Sequence, residues 1–325
     1  MKSAPAQARN RAALVRDEEL WFSDGNLMLE ANGHVFRIYQ GLLAQNSEVF
    51  RDLFTTPRST YVETFEGCRV FHLTDRPEDL RHLLRVVYHG NRYYRPDEQL
   101  DFATVAALVR LSHKYQIDHI RDTYLSRMKS CFCTEFETWV TVSRDGGSPV
   151  MKFGTADAIS AVDIAHLTGA ESMLPTALYS CCQLKAEHLI SGCPRPDGTV
   201  EYLSPVDTMK CVDARQTLYQ KAITTGLEIF SPLAPSPLCL DRVQCGRAIQ
   251  ALRGRHLRFP PADVIATTLS PKHLMFSSLP TEERLYVCPE CADLIREAEE
   301  PTYRKIWAEL PRLLGIETPS DWPTA

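Results

Sequence analysis

The spacing of apolar residues changes several times over the first 130 positions, and each change marks an element. In "LWFSDGNLMLEANGHVFRIYQ" two short apolar runs, Leu27 to Leu29 and Val35 to Tyr39, flank Asn32-Gly33. Both residues of that dipeptide tolerate positive φ, so the pattern predicts a tight hairpin as the first paired element. In "GLLAQNSEVFRDLFTT" the period lengthens to helical spacing through Leu42, Leu43, Val49, Phe50, Leu53 and Phe54. Ser47, a good N-cap, splits that run into two short helices. "CRVFHL" returns to a strand pattern with Val70, Phe71 and Leu73. Asp75 then reads as the cap of a helix, with Glu78 closing a capping box and Pro77 in the first turn. Leu80, Leu83, Leu84, Val87 and Tyr88 form the apolar face of that helix. Two further helices follow, one opened by Asp101 with Val105, Leu108, Leu111 and Tyr115 on one face. The other carries Ile117, Ile120, Tyr124 or Leu125, and Met128.

Hairpin, helix pair, strand, helix and helix pair, in that order and at those spacings, resemble the BTB/POZ domain over about Leu20 to Ser130. The resemblance rests on "DGNLML", "FRIYQGLLAQNSEVFRDLF", "HLTDRPEDLRHLLRVVYHG" and "LVRLSHKYQIDHIRDTYL". No single piece is specific; their succession is. Where many members of that family have a His-Lys pair after the second strand, this chain has Tyr39-Gln40, which puts any transfer of pocket chemistry in doubt. The resemblance implies an interaction module, commonly a homodimer, of the kind used in transcription regulators, ion-channel tetramerisation units and substrate adaptors of cullin-type ubiquitin ligases. It places the core and dimer region at Leu27, Phe36, Leu42, Leu43, Phe50 and Phe54, with dimerisation through the opening strand and the helical hairpin.

Beyond Ser130, "SRDGGSPVMKFGT" reads as a linker. Helical spacing then resumes through Ile159, Val162 and His166 after Asp157. Leu174 to Leu189 continue it from Pro175 onward, and Ser204, Pro205 and Asp207 form an acidic capping box. "SGCPRPDGTVEYL" is turn-rich and reads as a surface loop. After the proline-spaced "SPLAPSPLC", Val243, Ile249 and Leu252 mark a helix. Tyr303, Ile306, Trp307 and Leu310 form a stripe on another, which Pro311 or Gly315 ends. That stripe reads as core. The whole arrangement, with its closing "W…LP…LG" tail, looks like a group of BTB-containing proteins typical of mushroom-forming fungi, a likeness that brings little about function with it.

Length and composition refine this outline. At 325 residues the chain suits two domains, and 44% apolar content supplies real cores. The expected division is a flexible N-terminal arm (1–18), a BTB/POZ domain (19–130), a helical domain (131–235) and a cysteine-containing helical module (236–325). The fold class is α+β: a small sheet with helical hairpins, then an all-helical region. A formal charge of −5 provides no global field for phosphate backbones, so nucleic acid is not an expected partner. The opening "MKSAPAQARNRAALVR" is basic and acid-free but lacks an apolar run, and reads as an arm rather than a presequence. No stretch has the ~18 uninterrupted apolar residues of a membrane span. The expected location is cytoplasmic or nuclear.

Eleven cysteines without a secretory signal favour free thiols in a reducing compartment. Cys131, Cys133, Cys181 and Cys182 fall in apolar helical patterns, where cysteine acts as a small hydrophobe. Cys239 and Cys245 stand five residues apart, Cys288 and Cys291 two apart, with 42 residues between the pairs. Two such pairs can supply the four thiolates of a structural zinc site, with His273 as a substitute ligand. Packing of the same thiols as buried side chains stays open beside that reading. A redox role lacks the βαβ setting it needs. Nucleophile-elbow, dinucleotide, Walker and zincin motifs are absent from the sequence, and single histidines such as His72 and His113 read as structural. The basic cluster Arg253, Arg255, His256 and Arg258 reads as a solvated surface, since aromatic interleaving is limited to Phe259. The expectation is a non-enzymatic interaction scaffold that self-associates and binds a protein partner. A cullin adaptor or transcription-regulator subunit is the alternative, and an enzyme using the cysteine module a distant one.

Overall fold

The apolar pattern does not announce the strand β1 (Val15–Trp21), because Asp17 and Leu20 are its only buried residues. It pairs in parallel with β3 (His34–Ile38). The Asp17 carboxylate fastens it, accepting the Leu20 N–H at 2.9 Å and Arg81 Nε at 2.6 Å. Burial alone would raise that carboxyl, but Arg81 and the backbone N–H groups outweigh it and hold the group low. Residues 15–18, assigned from the sequence to a flexible arm, are therefore strand. A buried charge with a cation partner leaves no apolar signature to read.

The computed structural model describes residues 14–55, 63–195, 198–230, 232–257 and 287–324. Two compact units divide the chain, Met1–Ser126 and Arg127–Ala325. In the first, the hairpin is present. β2 (Leu27–Ala31) runs antiparallel to β3 with Leu29 opposite Phe36, and φ is 46° at Asn32 and 86° at Gly33, as a two-residue primed turn requires. α1 (Gln40–Asn46) and α2 (Glu48–Thr55) follow. Ser47 divides them as expected: its Oγ accepts the Phe50 N–H at 3.1 Å and donates to the Tyr115 carbonyl at 2.5 Å. β4 (Thr64–Phe65) and β5 (Cys68–Leu73) complete a sheet of order β1-β3-β2-β5-β4.

β2 is thus central, bonded to β3 on one edge and in parallel to β5 on the other. A strand paired on both edges has no backbone groups left to pair with a further strand. Leu27, Phe36, Leu43, Phe50 and Phe54 are all buried, so these side chains form the unit's interior; of the six named for the core and dimer region, only Leu42 is half-buried.

α3 (Pro77–His89), α4 (Phe102–Lys114) and α5 (Asp118–Lys129) show the anticipated faces. The cap of α3 is different. Arg76 occupies the N-cap, and no side-chain hydrogen bond caps the helix there; Asp75 instead accepts hydrogen bonds from Lys114 Nζ and Tyr115 OH. A charged donor and a phenol from the end of α4 compete successfully for that carboxylate, so the capping box is not formed. Tyr115 also stacks on Phe50 with centroids 4.2 Å apart.

The second unit is built from helices. α6 (Phe136–Asp145) leads into a hairpin of Gly147–Ser148 with Met151–Lys152. Then come α7 (Ala158–Thr168), α8 (Leu174–Cys182), α9 (Ala186–Ser191) and a hairpin of Cys193–Pro194 with Val200–Glu201. α10 (Pro205–Phe230), α11 (Arg242–Leu257) and α12 (Pro289–Leu313) follow. α10 is the common partner, packing on α8, α11 and α12. The Ser204 cap is present, with the Asp207 N–H 3.0 Å from Ser204 Oγ. Trp307 of α12 stacks on Trp322 at 4.9 Å and donates Nε1–H to the Thr134 carbonyl at 2.6 Å. α12 runs through Pro311 and ends at Gly315, where φ is 66°.

The "linker" around Gly146 is a correction as well. Gly147 and Ser148 are buried and Met151 is fully so. At Gly147 φ is 151°, and a Cβ would lie 2.3 Å from the Met151 carbonyl oxygen and 2.8 Å from the Lys152 Cα. Glycine stands there because the two strands approach too closely for a side chain, which composition alone reads as looseness. Among the described residues, no helix is long and apolar enough to cross a membrane.

The two left-handed glycines separate strain from collision. Gly33→Ala meets open space and should cost about 1 kcal/mol, the strain of a left-handed residue alone. Gly147→Ala must displace backbone and should cost at least about 3 kcal/mol. Denaturant unfolding of the full chain, with hydrogen exchange assigning each transition to its unit, measures both.

Candidate metal centre

Three local frames bring four cysteines together. Cys239 ends a turn in which its own N–H bonds the Ser236 carbonyl at 3.0 Å. Cys245 lies in the first turn of α11, which Asp241 caps by accepting the Gln244 N–H at 2.9 Å. Cys288 is the N-cap of α12, and Pro289 fills the first helical position, where no N–H is missed. Cys291 sits three residues on, one turn up the same helix. The Cys-x-x-Cys spacing is therefore the spacing of an N-cap and its third helical residue, which places both sulfurs at one helix end.

The four Sγ atoms all lie within 4.8 Å of one another, and those of Cys239 and Cys288 are 3.7 Å apart. Cys239, Cys245 and Cys291 are buried and Cys288 is half-buried, with Val287 packed against the group. Backbone N–H groups reach two of the sulfurs: Ser236 N donates to Cys291 Sγ and Cys288 N to Cys245 Sγ, each at 3.3 Å. Neither donor is readable from the sequence, because a backbone N–H has no residue type. All eleven cysteines are free thiols.

Electrostatics within the group are uneven. Burial works to raise Cys245, but the Cys288 N–H and the neighbouring thiols outweigh it and hold this thiol below its usual range. Burial pushes Cys239 up. At Cys288 the Cys291 N–H acts to lower the thiol, yet burial, Glu290 and the adjacent sulfurs push it up to about 12. This is how thiols behave when they share one small volume: an ionised sulfur makes each neighbour harder to ionise. A cation at the centre removes that conflict by favouring the thiolate at every position.

The remaining expectations about α11 and its surroundings are mixed. Ile249 and Leu252 face inward, whereas Val243 is 65% exposed, so the buried face is set by Cys245 and not by Val243. His273, Arg258 and Phe259 lie outside the described residues. His72, read as an ordinary strand histidine, stands between two carboxylates, with Glu30 at Nδ1 and Glu63 2.9 Å from Nε2. Burial would lower it, but the two carboxylates outweigh that and raise it.

The family model for the BTB/POZ domain matches residues 15–131, and over those residues the chain is a BTB/POZ domain. The match begins at the first residue of β1, so the buried Asp17 belongs to the domain. No curated protein matches the chain.

Two turns along α12 from Cys291, Glu299 is 5% exposed and its Oε1 has no hydrogen-bond partner. Burial pushes its carboxyl up to about 7, against a small opposing pull from Arg296. Because the folded-state value lies above the unfolded one, the protonated form fits the fold. Stability is then greatest below about pH 4.5 on this group's account and falls as pH rises toward 7. Glu299→Gln should raise the melting temperature at pH 8, relieving about 2–3 kcal/mol, and leave it nearly unchanged at pH 4. Calorimetry at the two pH values is the check.

Proposed function

We propose that this protein is a non-catalytic interaction scaffold: its BTB/POZ domain joins it to a second copy of itself, and its helical unit engages a further protein partner. The BTB/POZ domain at residues 15–131 is the observation that carries this reading, since domains of this family are protein-interaction modules. The sheet order supports it in a specific way. β1 and β4 are its edge strands, and an edge strand is a ready template for pairing with another chain. Beside the sheet, Phe22, Tyr39 and Tyr88 form a half-buried aromatic group with centroids 4.9 to 6.4 Å apart. Tyr39, the departure from the family's usual His-Lys pair, is a member of that group. Aromatic residues with one wet edge suit an interface.

In the same reading the four-cysteine centre is structural. Four thiols converging on one point leave no open position for a substrate, the arrangement that distinguishes closed metal sites from catalytic ones. A second role, as a substrate adaptor of a cullin-type ubiquitin ligase, is favoured by the order of the chain: a helical unit follows the BTB/POZ domain where an adaptor needs a surface for its client. A transcription-regulator subunit is less favoured, because the net charge is −5 and no DNA-binding motif accompanies it.

Light scattering at roughly tens of micromolar should return twice the 36.8 kDa of one chain; a strict monomer there would sink the self-association reading. Affinity purification with mass spectrometry separates the two roles. A cullin among the recovered proteins supports the adaptor, and chromatin proteins in its place would turn the assignment toward transcription.

A further inference from the structure

We propose that Cys239, Cys245, Cys288 and Cys291 hold one zinc ion, and that this ion, more than apolar packing, fastens α11 to α12. This rests on the structural reading of the centre given above and is independent of self-association.

Geometry is the first ground. With Zn–S near ~2.3 Å, the edge of a tetrahedral tetrathiolate is ~3.8 Å. The Cys239 and Cys288 sulfurs already stand 3.7 Å apart, and no sulfur is more than 4.8 Å from another. Closing the set around an ion therefore asks for movements of about 1 Å or less. The contributing frames are short and differently oriented: a turn, the first turn of α11, and the N-cap with its following turn of α12. Each can shift a side-chain rotamer without unwinding a helix.

Hydrogen bonding is the second ground. The Ser236 and Cys288 N–H groups point at Cys291 Sγ and Cys245 Sγ at 3.3 Å. An N–H donor is a modest partner for a neutral thiol and a strong one for a thiolate. Such donors around a metal spread the charge of the ligands and fix their orientation. On binding, the thiols release their protons to solvent. Four thiolates around Zn2+ leave a net charge of −2 at the centre, which those two amides and the N-terminus of α12 face.

The third ground is that little else joins α11 to α12 directly: α11 packs on α10, and among the described residues packing between α11 and α12 is sparse. Among the described side chains of α11 only Cys245, Ala248, Ile249 and Leu252 are buried, spanning barely two turns. Helices owe most of their stability to a packed face, and this one is small. Forty-two residues separate Cys245 from Cys288, so a bond through a metal removes a long loop's freedom from the unfolded chain. Zinc suits an all-thiolate tetrahedron without redox chemistry, and so suits a site with no open position.

The test uses the full chain purified under reducing conditions. Elemental analysis should find about one zinc per chain. Apo protein refilled with cobalt(II) should show the intense ligand-field bands of a tetrahedral four-thiolate centre. On chelation, hydrogen exchange should quicken by at least about tenfold in 242–252 and 288–292 and stay unchanged in 27–38, restored by added zinc. Cys288→Ser should lose the metal while the BTB/POZ domain stays folded by the same measure. If that variant does not fold, chelation and refilling of the unaltered chain decide the matter. The proposal is overturned by iron in place of zinc, by a Cys239–Cys288 disulfide in the freshly reduced protein, or by unchanged exchange after chelation. Each of these results leaves the scaffold role standing, just as a monomeric mass leaves the zinc centre standing.

Discussion

β2 has neither a free edge nor a free face, and the first unit is arranged around that constraint. Its five residues are all buried, including Glu30 at 7% exposure. Its backbone is bonded to β3 on one side and to β5 on the other. A parallel partner such as β5 cannot follow a strand by a short turn, so the chain between them must cross over; the hairpin α1 and α2 lies on that crossover. Phe50 and Phe54 of α2 then meet Tyr115 and Phe71 at centroid distances of 4.2 and 5.1 Å. The edges of the sheet are thereby displaced outward to β1 and β4.

The second unit has a different logic. Its long helix α10 is the common neighbour of α8, α11 and α12, and α12 performs two tasks along its length. Toward its C-terminus, Trp307 joins Trp322, Phe136 and Trp139 in one aromatic group, which ties the helix to the unit by burial. At its N-terminus, Cys288 and Cys291 meet two sulfurs from elsewhere. An aromatic group is buried toward one end of the helix, and four thiols converge at the other. α11 packs on α10 and brings Cys245 to the sulfurs of α12.

Much of this was legible because it is local. Asn32-Gly33 carries its own turn geometry, and Ser47 can divide a helical run whatever surrounds it. The stripe of Tyr303, Ile306, Trp307 and Leu310 needs no knowledge of its partner to be recognised as core. Misreadings came where a side chain had more than one claimant. Asp75 stands where a cap should, but Lys114 and Tyr115 reach it from α4. Gly147 looks like slack in a linker and is a point of closest approach. Asp17 and Glu299 are charged residues in the interior, and charge in a sequence signals surface. Val243 has the right spacing and the wrong face, because Cys245 counts as apolar only once its neighbours are known.

By itself the sequence determined the BTB/POZ succession of elements, the helical character of the remainder, and the two cysteine pairs as the one place where chemistry could gather. Period, turn residues and short spacings depend on a few adjacent positions, which any folded context must respect. Tertiary structure decided which strand is central, which carboxylates are buried and paired, and that the two cysteine pairs face one another within 4.8 Å. Those outcomes turn on residues tens of positions apart competing for the same hydrogen bond or the same volume, and no local pattern records who wins.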